Sequence, residues 1–246
     1  MIIDAHSHLG YDYVFDLDVT EDMLLQNNKA YGIDGGIVQP SLCRPYIKDT
    51  EEFHDRISSL CKKNKNYWGM ASINPHFTYS DYEKEAERCI KQLGFIGIKL
   101  TPIGHACNPA SDDGMHVFEV AKLLHVPVMV HTGYGFPFSD PINIIPAAKK
   151  FREVKIVIAH AGTNFFTQEA LHVAEEYDNV FIEPSGAGIE SVSLLLKKLG
   201  TKKLMFSTDI LLNVPMELAI YKKLLPKQED FEQVCYRTVT DVFDLK

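Results

Sequence analysis

Val154-Lys155-Ile156-Val157-Ile158-Ala159 is a short apolar, β-branched run, and His160 follows it directly. Such a run reads as a buried strand, and the imidazole then stands at its carboxyl end. The arrangement recurs on both sides. Upstream, Val126-Pro127-Val128-Met129-Val130 runs into His131; downstream, Leu204-Met205-Phe206-Ser207-Thr208 runs into Asp209. At the amino terminus Ile2–Ala5 runs into His6, with His8 two positions on. Residues two apart in a strand share a face, so the rings of His6 and His8 converge. Taken singly, each is weak: structural histidines are common, and a His-x-His pair is short enough to arise by chance. Five metal-ligating side chains at corresponding strand ends are not a coincidence of that kind.

Four further runs complete a series of eight: Gly36–Gln39, Tyr67–Ile73, Phe95–Leu100 and Val180–Glu183, with the last run taken as Lys203–Ser207. Their starts are spaced by roughly one strand-plus-helix unit. Helix signals fill the gaps. Thr20 caps a helix through Tyr31 that stops at Gly32, and Ser80 with Glu83 reads as a capping box for a helix ending before Gly94. Pro141 and Pro215 mark the first turns of two more, and Glu229 to Leu245 reads as a closing helix. Eight such units close into a (β/α)8 TIM barrel over residues 1–246, with all five ligating residues at one mouth. An open doubly wound sheet is the alternative, but no GxGxxG or Walker loop supports its nucleotide-binding form.

Composition agrees with a soluble globular domain and excludes a disordered or fibrous chain. Hydrophobic residues make up 46% and charged residues 24%, the usual balance of a folded domain. The net charge of −8 offers no broad cationic surface for nucleic acid. No apolar run approaches the ~20 residues of a membrane span, and the amino terminus lacks a signal-peptide pattern. Five scattered cysteines with no CxxC pair point to free thiols in a reducing compartment. The expectation is a cytoplasmic protein with no nucleic-acid or membrane partner, a homo-oligomer being left open.

These motifs together resemble the amidohydrolase superfamily, more closely its branch of small metal-dependent enzymes that includes decarboxylases of the aminocarboxymuconate-semialdehyde type. The resemblance is carried by Ile3-Asp4-Ala5-His6-Ser7-His8, Gly97-Ile98-Lys99-Leu100-Thr101-Pro102, Val128-Met129-Val130-His131-Thr132-Gly133, Ala159-His160-Ala161-Gly162 and Ser207-Thr208-Asp209. It implies a divalent metal, with zinc expected, held by His6, His8, His131 and Asp209. Asp209 would also shuttle protons, while His160 would polarise substrate or hold a second ion. Three imidazoles and a carboxylate leave an open position for water, whose pKa the cation lowers to about 7.

Lys99 keeps three readings: a rim lysine reaching solvent, a partner for an anionic substrate, or a carboxylated bridge to a second metal shared with His160. The chain departs from the family by placing Thr101, not histidine, after Lys99-Leu100, with His105 four residues later. It also lacks the family's Asn-Ala pair near the end, reading Thr238-Val239-Thr240-Asp241-Val242-Phe243. Arg44, His105, Tyr134 and Ser185 are the candidate substrate contacts, with Asn108, Phe136 and Phe138 as further lining. Asp4 shares the parity of His6 and His8 and is a candidate to orient a ligand ring. Hydrolysis of a C–N or C–O bond is the leading expectation. Non-oxidative decarboxylation is the alternative, disfavoured by the compactness of this chain, and a catalytically silent metal-binding barrel is a third.

Overall fold

The structure, a computed structural model, describes residues 1–245. Seven strands and one extended segment form a ring. They are β1 (Ile3–Asp12), β2 (Gly35–Pro40), β3 in two pieces (Tyr67–Gly69 and Ala71–Ser72), β4 (Ile98–Leu100), β5 (Val128–His131), β6 (Ile156–Ala159) and β7 (Val180–Glu183). All neighbouring pairs in this series are parallel. The extended segment 204–209 takes the eighth position. On one side Met205 N–H donates to Ile182 O at 3.0 Å; on the other Ala5 N–H donates to Phe206 O at 3.0 Å and Asp209 N–H to His6 O at 2.8 Å. The barrel is therefore closed.

The eighth segment lacks a continuous ladder because a side chain replaces part of it. The β1–β2 register shifts between Asp4 and Ser7. The buried Asp4 carboxylate there accepts the backbone N–H groups of His6 and Thr208, both at 3.0 Å, and the hydroxyls of Ser7 at 2.9 Å and Thr208 at 2.5 Å. Burial pushes its carboxyl up to about 6 despite these four donors. Asp4 thus ties the first strand to the last and touches no imidazole ring nitrogen, so it does not orient a ligand ring as parity suggested.

Alternation along the strands divides the apolar residues between two cores. Ile3, Ala5, Ile37, Met70, Met129, Val157, Ala159 and Met205 fill the barrel, plugged from below by Val239, Val242 and Phe243. Val38, Val128, Val130, Ile156 and Ile158 face outward onto the helices. The interior is solid below the mouth, so chemistry is confined to the carboxyl ends of the strands.

Several helices sit where expected. α1 (Glu21–Tyr31) is capped by Thr20 and ended by Gly32 at φ 72°. α2 (Ile47–Lys63) follows β2. α3 (Tyr79–Glu87) begins one cap earlier than Ser80, at Thr78, whose hydroxyl accepts from Asp81 N–H at 3.2 Å and donates to the Asp81 carboxylate at 2.7 Å. That reciprocal pair outcompetes Ser80 with Glu83. Pro141 opens a 3₁₀ turn, Pro141–Ile144, and Pro215 lies in the first turn of the helix Val214–Leu224. The closing helix is interrupted by a π turn, Gln233–Arg237, between Gln228–Glu232 and Thr238–Phe243. No helix among the described residues is long and apolar enough to cross a membrane.

Candidate metal centre

β1 continues past Ala5 through Asp12 and folds back as Leu17–Val19, so His6 and His8 lie within the strand rather than after it. Two histidines and a serine break the apolar run, and although the register slips between Asp4 and Ser7 the pairing resumes from Ser7 to Leu9. His131 is the last residue of β5, while His160 and Asp209 follow β6 and the eighth segment in left-handed conformations, φ 66° and 65°. Positive φ is uncommon for residues other than glycine and clusters at functional sites. It turns both side chains away from the ordinary strand continuation.

Each of the four imidazoles has one nitrogen committed to a fixed acceptor. His6 Nδ1–H donates to Glu183 Oε1 at 2.6 Å, His8 Nδ1–H to the Pro40 carbonyl at 3.1 Å, and His160 Nδ1–H to Ser185 through its Oγ at 3.0 Å and carbonyl at 3.2 Å. His131 uses the other nitrogen, donating Nε2–H to the Tyr134 carbonyl at 3.1 Å. The free lone pairs are consequently Nε2 of His6, His8 and His160 and Nδ1 of His131, each tautomer being assigned from its partner. Such orienting acceptors are the usual companions of metal-ligating histidines.

The lone pairs crowd together. His6 Nε2 and His8 Nε2 are 3.0 Å apart, and Asp209 Oδ1 lies 3.4 Å and 3.2 Å from them. The ring centres of His6 and His160 are 5.0 Å apart, and those of His131 and His160 4.8 Å. Acceptors packed this closely repel one another unless a cation lies among them, and His6, His8 and Asp209 form a three-ligand group of the right size. His131 approaches this group through its packing on His160.

The electrostatics suit a cation. Burial, with the Lys99 charge nearby, pushes His6 down to about 3, and burial and His160 take His131 well below its ordinary value. Both rings are neutral, as ligands must be. Burial would raise Asp209, but His160, His6 and His8 hold it well below the usual carboxylate range. Lys99 is buried rather than solvent-facing, which removes the rim reading; its Nζ lies 3.0 Å from His6 Nε2, and burial lowers it to about 8.

The expected substrate contacts fare unequally. Ser185 is buried behind His160 and holds its ring, so it supports the site rather than lining a pocket. Arg44 is exposed on the loop after β2, with its guanidinium 4.4 Å over the Tyr13 ring. His105 is half-buried in the turn Pro102–His105, where its Nδ1 accepts from Thr101 N–H at 3.4 Å. Tyr134 is 64% exposed on the loop after β5, with Phe136 and Phe138 also exposed. Asn108 instead caps its own loop, accepting from Ala110 N–H at 2.8 Å.

Glu183 was missed by sequence reasoning. Fully buried, it accepts from His6 Nδ1, from the backbone N–H groups of His160 and Ser185, both at 3.1 Å, and from the Ser207 hydroxyl. Burial opposes its ionisation, yet His6 and His160 lead the groups that hold it down at about 2. The signal was available: Val180–Glu183 ends in a ligating residue by the same rule that singled out His131 and His160.

The closed parallel barrel with a histidine and carboxylate cluster at its carboxyl mouth defines the class, and the chain belongs to the amidohydrolase family, whose model matches residues 3–245. It is an enzyme of that superfamily, whose members include hydrolases and decarboxylases. Among solved structures it is similar to 2,6-dihydroxybenzoate decarboxylase from Rhizobium, at 15% identity over 99% of this chain and 98% of that one, with a TM-score of 0.79. It is also similar to a dihydroxybenzoic acid decarboxylase from Polaromonas sp. JS666 with bound manganese, at 14% identity, 99% and 97% coverage and a TM-score of 0.78. A third is a protein assigned as a probable 2-pyrone-4,6-dicarboxylic acid hydrolase from Acinetobacter baumannii, at 14% identity, 99% coverage of each chain and a TM-score of 0.73. No curated protein matches the sequence.

Proposed function

We propose that this protein is a divalent-metal-dependent hydrolase of a small molecule, with His6, His8, His131 and Asp209 as the ligand set. The observation that carries the reading is the convergence of free lone pairs at His6 and His8 on an ionised Asp209, within 3.4 Å. A divalent ion bound there, zinc or manganese, supplies Lewis-acid activation of water or of a substrate oxygen. Asp209 Oδ2 accepts the proton released from the attacking water and later delivers it to the leaving group. His160, its Nδ1 fixed by Ser185, presents Nε2 to the substrate and orients it. Glu183 keeps His6 in the ligating tautomer.

A second reading, non-oxidative decarboxylation, is favoured by the mouth loops. Tyr13, Phe15, Tyr134, Phe136 and Phe165 are exposed there, and their rings suit a flat aromatic acid. The chain-length argument against it falls, since this chain aligns over 98% of a decarboxylase. In this reaction the carbon–carboxyl bond would break as CO2 leaves, and the ring carbon would take a proton drawn from solvent water and relayed through Asp209. The experiment measures CO2 release and incorporation of labelled water oxygen across lactones, amides and hydroxybenzoates. Label in the product with no CO2 supports hydrolysis; CO2 without label overturns it in favour of the second reading.

A further inference from the structure

The mouth divides into two arcs. β5, β6, the eighth segment and β1 carry the ligating residues, while β2, β3 and β4 carry Gln39, Ser72 and Lys99. Gln39 pairs in register with His8, and Ile37, two residues earlier, packs inside the barrel. Alternation therefore points Gln39 inward at the level of the site. Ser72 pairs with Lys99, and Lys99 with Met129, another interior residue, so these two also face inward.

Gln39 is only 1% exposed, and neither its Nε2 nor its Oε1 has a hydrogen-bond partner among the described residues. A buried primary amide with both ends unpaired is destabilising, because it has lost water and gained nothing. Of its neighbours on this arc, Ser72 accepts and donates no side-chain hydrogen bond among the described residues. Lys99 Nζ has one partner, the His6 Nε2 that also faces the ligand cluster. Gln39 and Ser72 thus offer side-chain donors with no protein acceptor among the described residues, and beside them stands the Lys99 ammonium, bonded to His6 Nε2 through one of its three hydrogens.

We propose that Gln39 is a substrate-positioning residue, and that its amide, with Ser72 Oγ and Lys99 Nζ, binds a carboxylate or other anionic oxygen of the substrate. This deepens the functional reading above by naming the substrate class: a small molecule carrying an oxygen anion beside the bond that is cleaved. The donors face the arc of metal ligands, so a substrate gripped on this side presents its reacting carbon to the other. The amide lies beside His8 in the strand register, next to the arc of ligating residues.

The test is binding of formate and benzoate to the manganese-loaded protein by calorimetry, without turnover, with benzyl alcohol as the neutral control. Benzoate affinity is expected to weaken about ten- to a hundredfold in Gln39→Leu, the cost of losing a hydrogen bond to a charged group. Benzyl alcohol binds wild type and variant equally, and manganese stoichiometry is unchanged. Without ligand, Gln39→Leu melts at or above the wild-type temperature because an unpaired amide has been removed. Equal benzoate affinity in the two proteins overturns the proposal. So does failure of both anions to bind wild type, or a ligand-free variant melting several degrees lower. None of these outcomes bears on metal-dependent turnover, which is read from metal content and from Asp209→Asn.

Discussion

Among the described residues three groups carry three ligating side chains within 4.8 Å of one another; two share His6 at the mouth, the third lies outside the barrel, and they differ in how many lone pairs they leave free. At the mouth, His6, His8 and Asp209 each leave an unshared electron pair facing the others. Between α2, α3 and β3, His54, Glu85 and Cys89 are equally close and fully or almost fully buried. There His54 has spent both nitrogens: Nε2 accepts the Ser72 backbone N–H at 3.0 Å and Nδ1–H donates to Glu85 at 2.5 Å. Arg88 takes up both Glu85 oxygens, at 2.7 Å and 2.9 Å. The difference teaches that proximity of donor types does not make a metal site. Free lone pairs do, and they are counted only after every other hydrogen bond has been assigned.

The sharpest way to break this comparison is to disable one cluster and assay both. Asp209→Asn keeps the shape but removes the base, and turnover should fall by about 10²–10⁴-fold. His6→Ala should abolish both metal binding and turnover, and dialysis of the wild type against a chelator should do the same until manganese or zinc is restored. His54→Leu should leave metal stoichiometry untouched while destabilising the fold by about 3 kcal/mol, since the buried Glu85 carboxylate loses a hydrogen-bond donor and the Ser72 N–H its acceptor. Elemental analysis and urea unfolding separate the two outcomes. Loss of metal from His54→Leu would erase the distinction.

Between these extremes lies Glu183. Its bond to His6 Nδ1 fixes the ring without contributing to the tight mouth triad, so Glu183→Gln should weaken metal affinity about 10- to 100-fold and leave the ion count at saturation unchanged. Competition with a chelator of known affinity measures this.

Much of this arrangement is legible in the chain itself. The barrel is visible because each strand carries its own apolar signature, and His131 and His160 because each directly ends one. β1 is harder: polarity at His6, Ser7 and His8 hides a strand that runs on to Asp12. The eighth segment is harder still, since Asp4, distant by 204 positions from Thr208, replaces ladder bonds with side-chain ones. Glu183 escaped notice because a glutamate beside a turn usually faces solvent. Ser185 was given the wrong task, since nothing local says that its hydroxyl turns back onto His160. Long-range hydrogen bonds decide such details, and they leave no periodic trace.

The two clusters also differ in acid. Burial would raise Glu85, but His54 and Arg88 hold its carboxyl at about 2 against an ordinary 4.5. A carboxylate depressed in the folded state adds stability that is complete above pH 4.5 and is lost as pH falls through 2. Glu85→Gln should therefore flatten the stability profile across that window, measured by urea unfolding at a series of pH values. The slope that remains is shared by Glu183 and Glu21, both also held near 2, and by Asp209, held well below its ordinary value. A profile unchanged by Glu85→Gln would show that the buried cluster is not ionised as described.

The smallest expected effect tests the third member of each group. Cys89 Sγ sits 3.2 Å from His54 Nδ1 and 3.4 Å from Glu85 Oε1, yet both atoms already have better partners in each other. Burial lifts the thiol well above its ordinary value, so no thiolate is available to a metal. Cys89→Ala should cost about 1 kcal/mol through lost packing and a weak hydrogen bond, seen as a lower urea midpoint with unchanged slope. Asp209, the corresponding third member at the mouth, differs in that its Oδ1 lies 3.4 Å from His6 Nε2 and 3.2 Å from His8 Nε2, the nitrogens left over once Glu183 and the Pro40 carbonyl have taken the Nδ1–H groups. A destabilisation of Cys89→Ala as large as that of His54→Leu would mean that the thiol, not the carboxylate, holds the buried histidine in place.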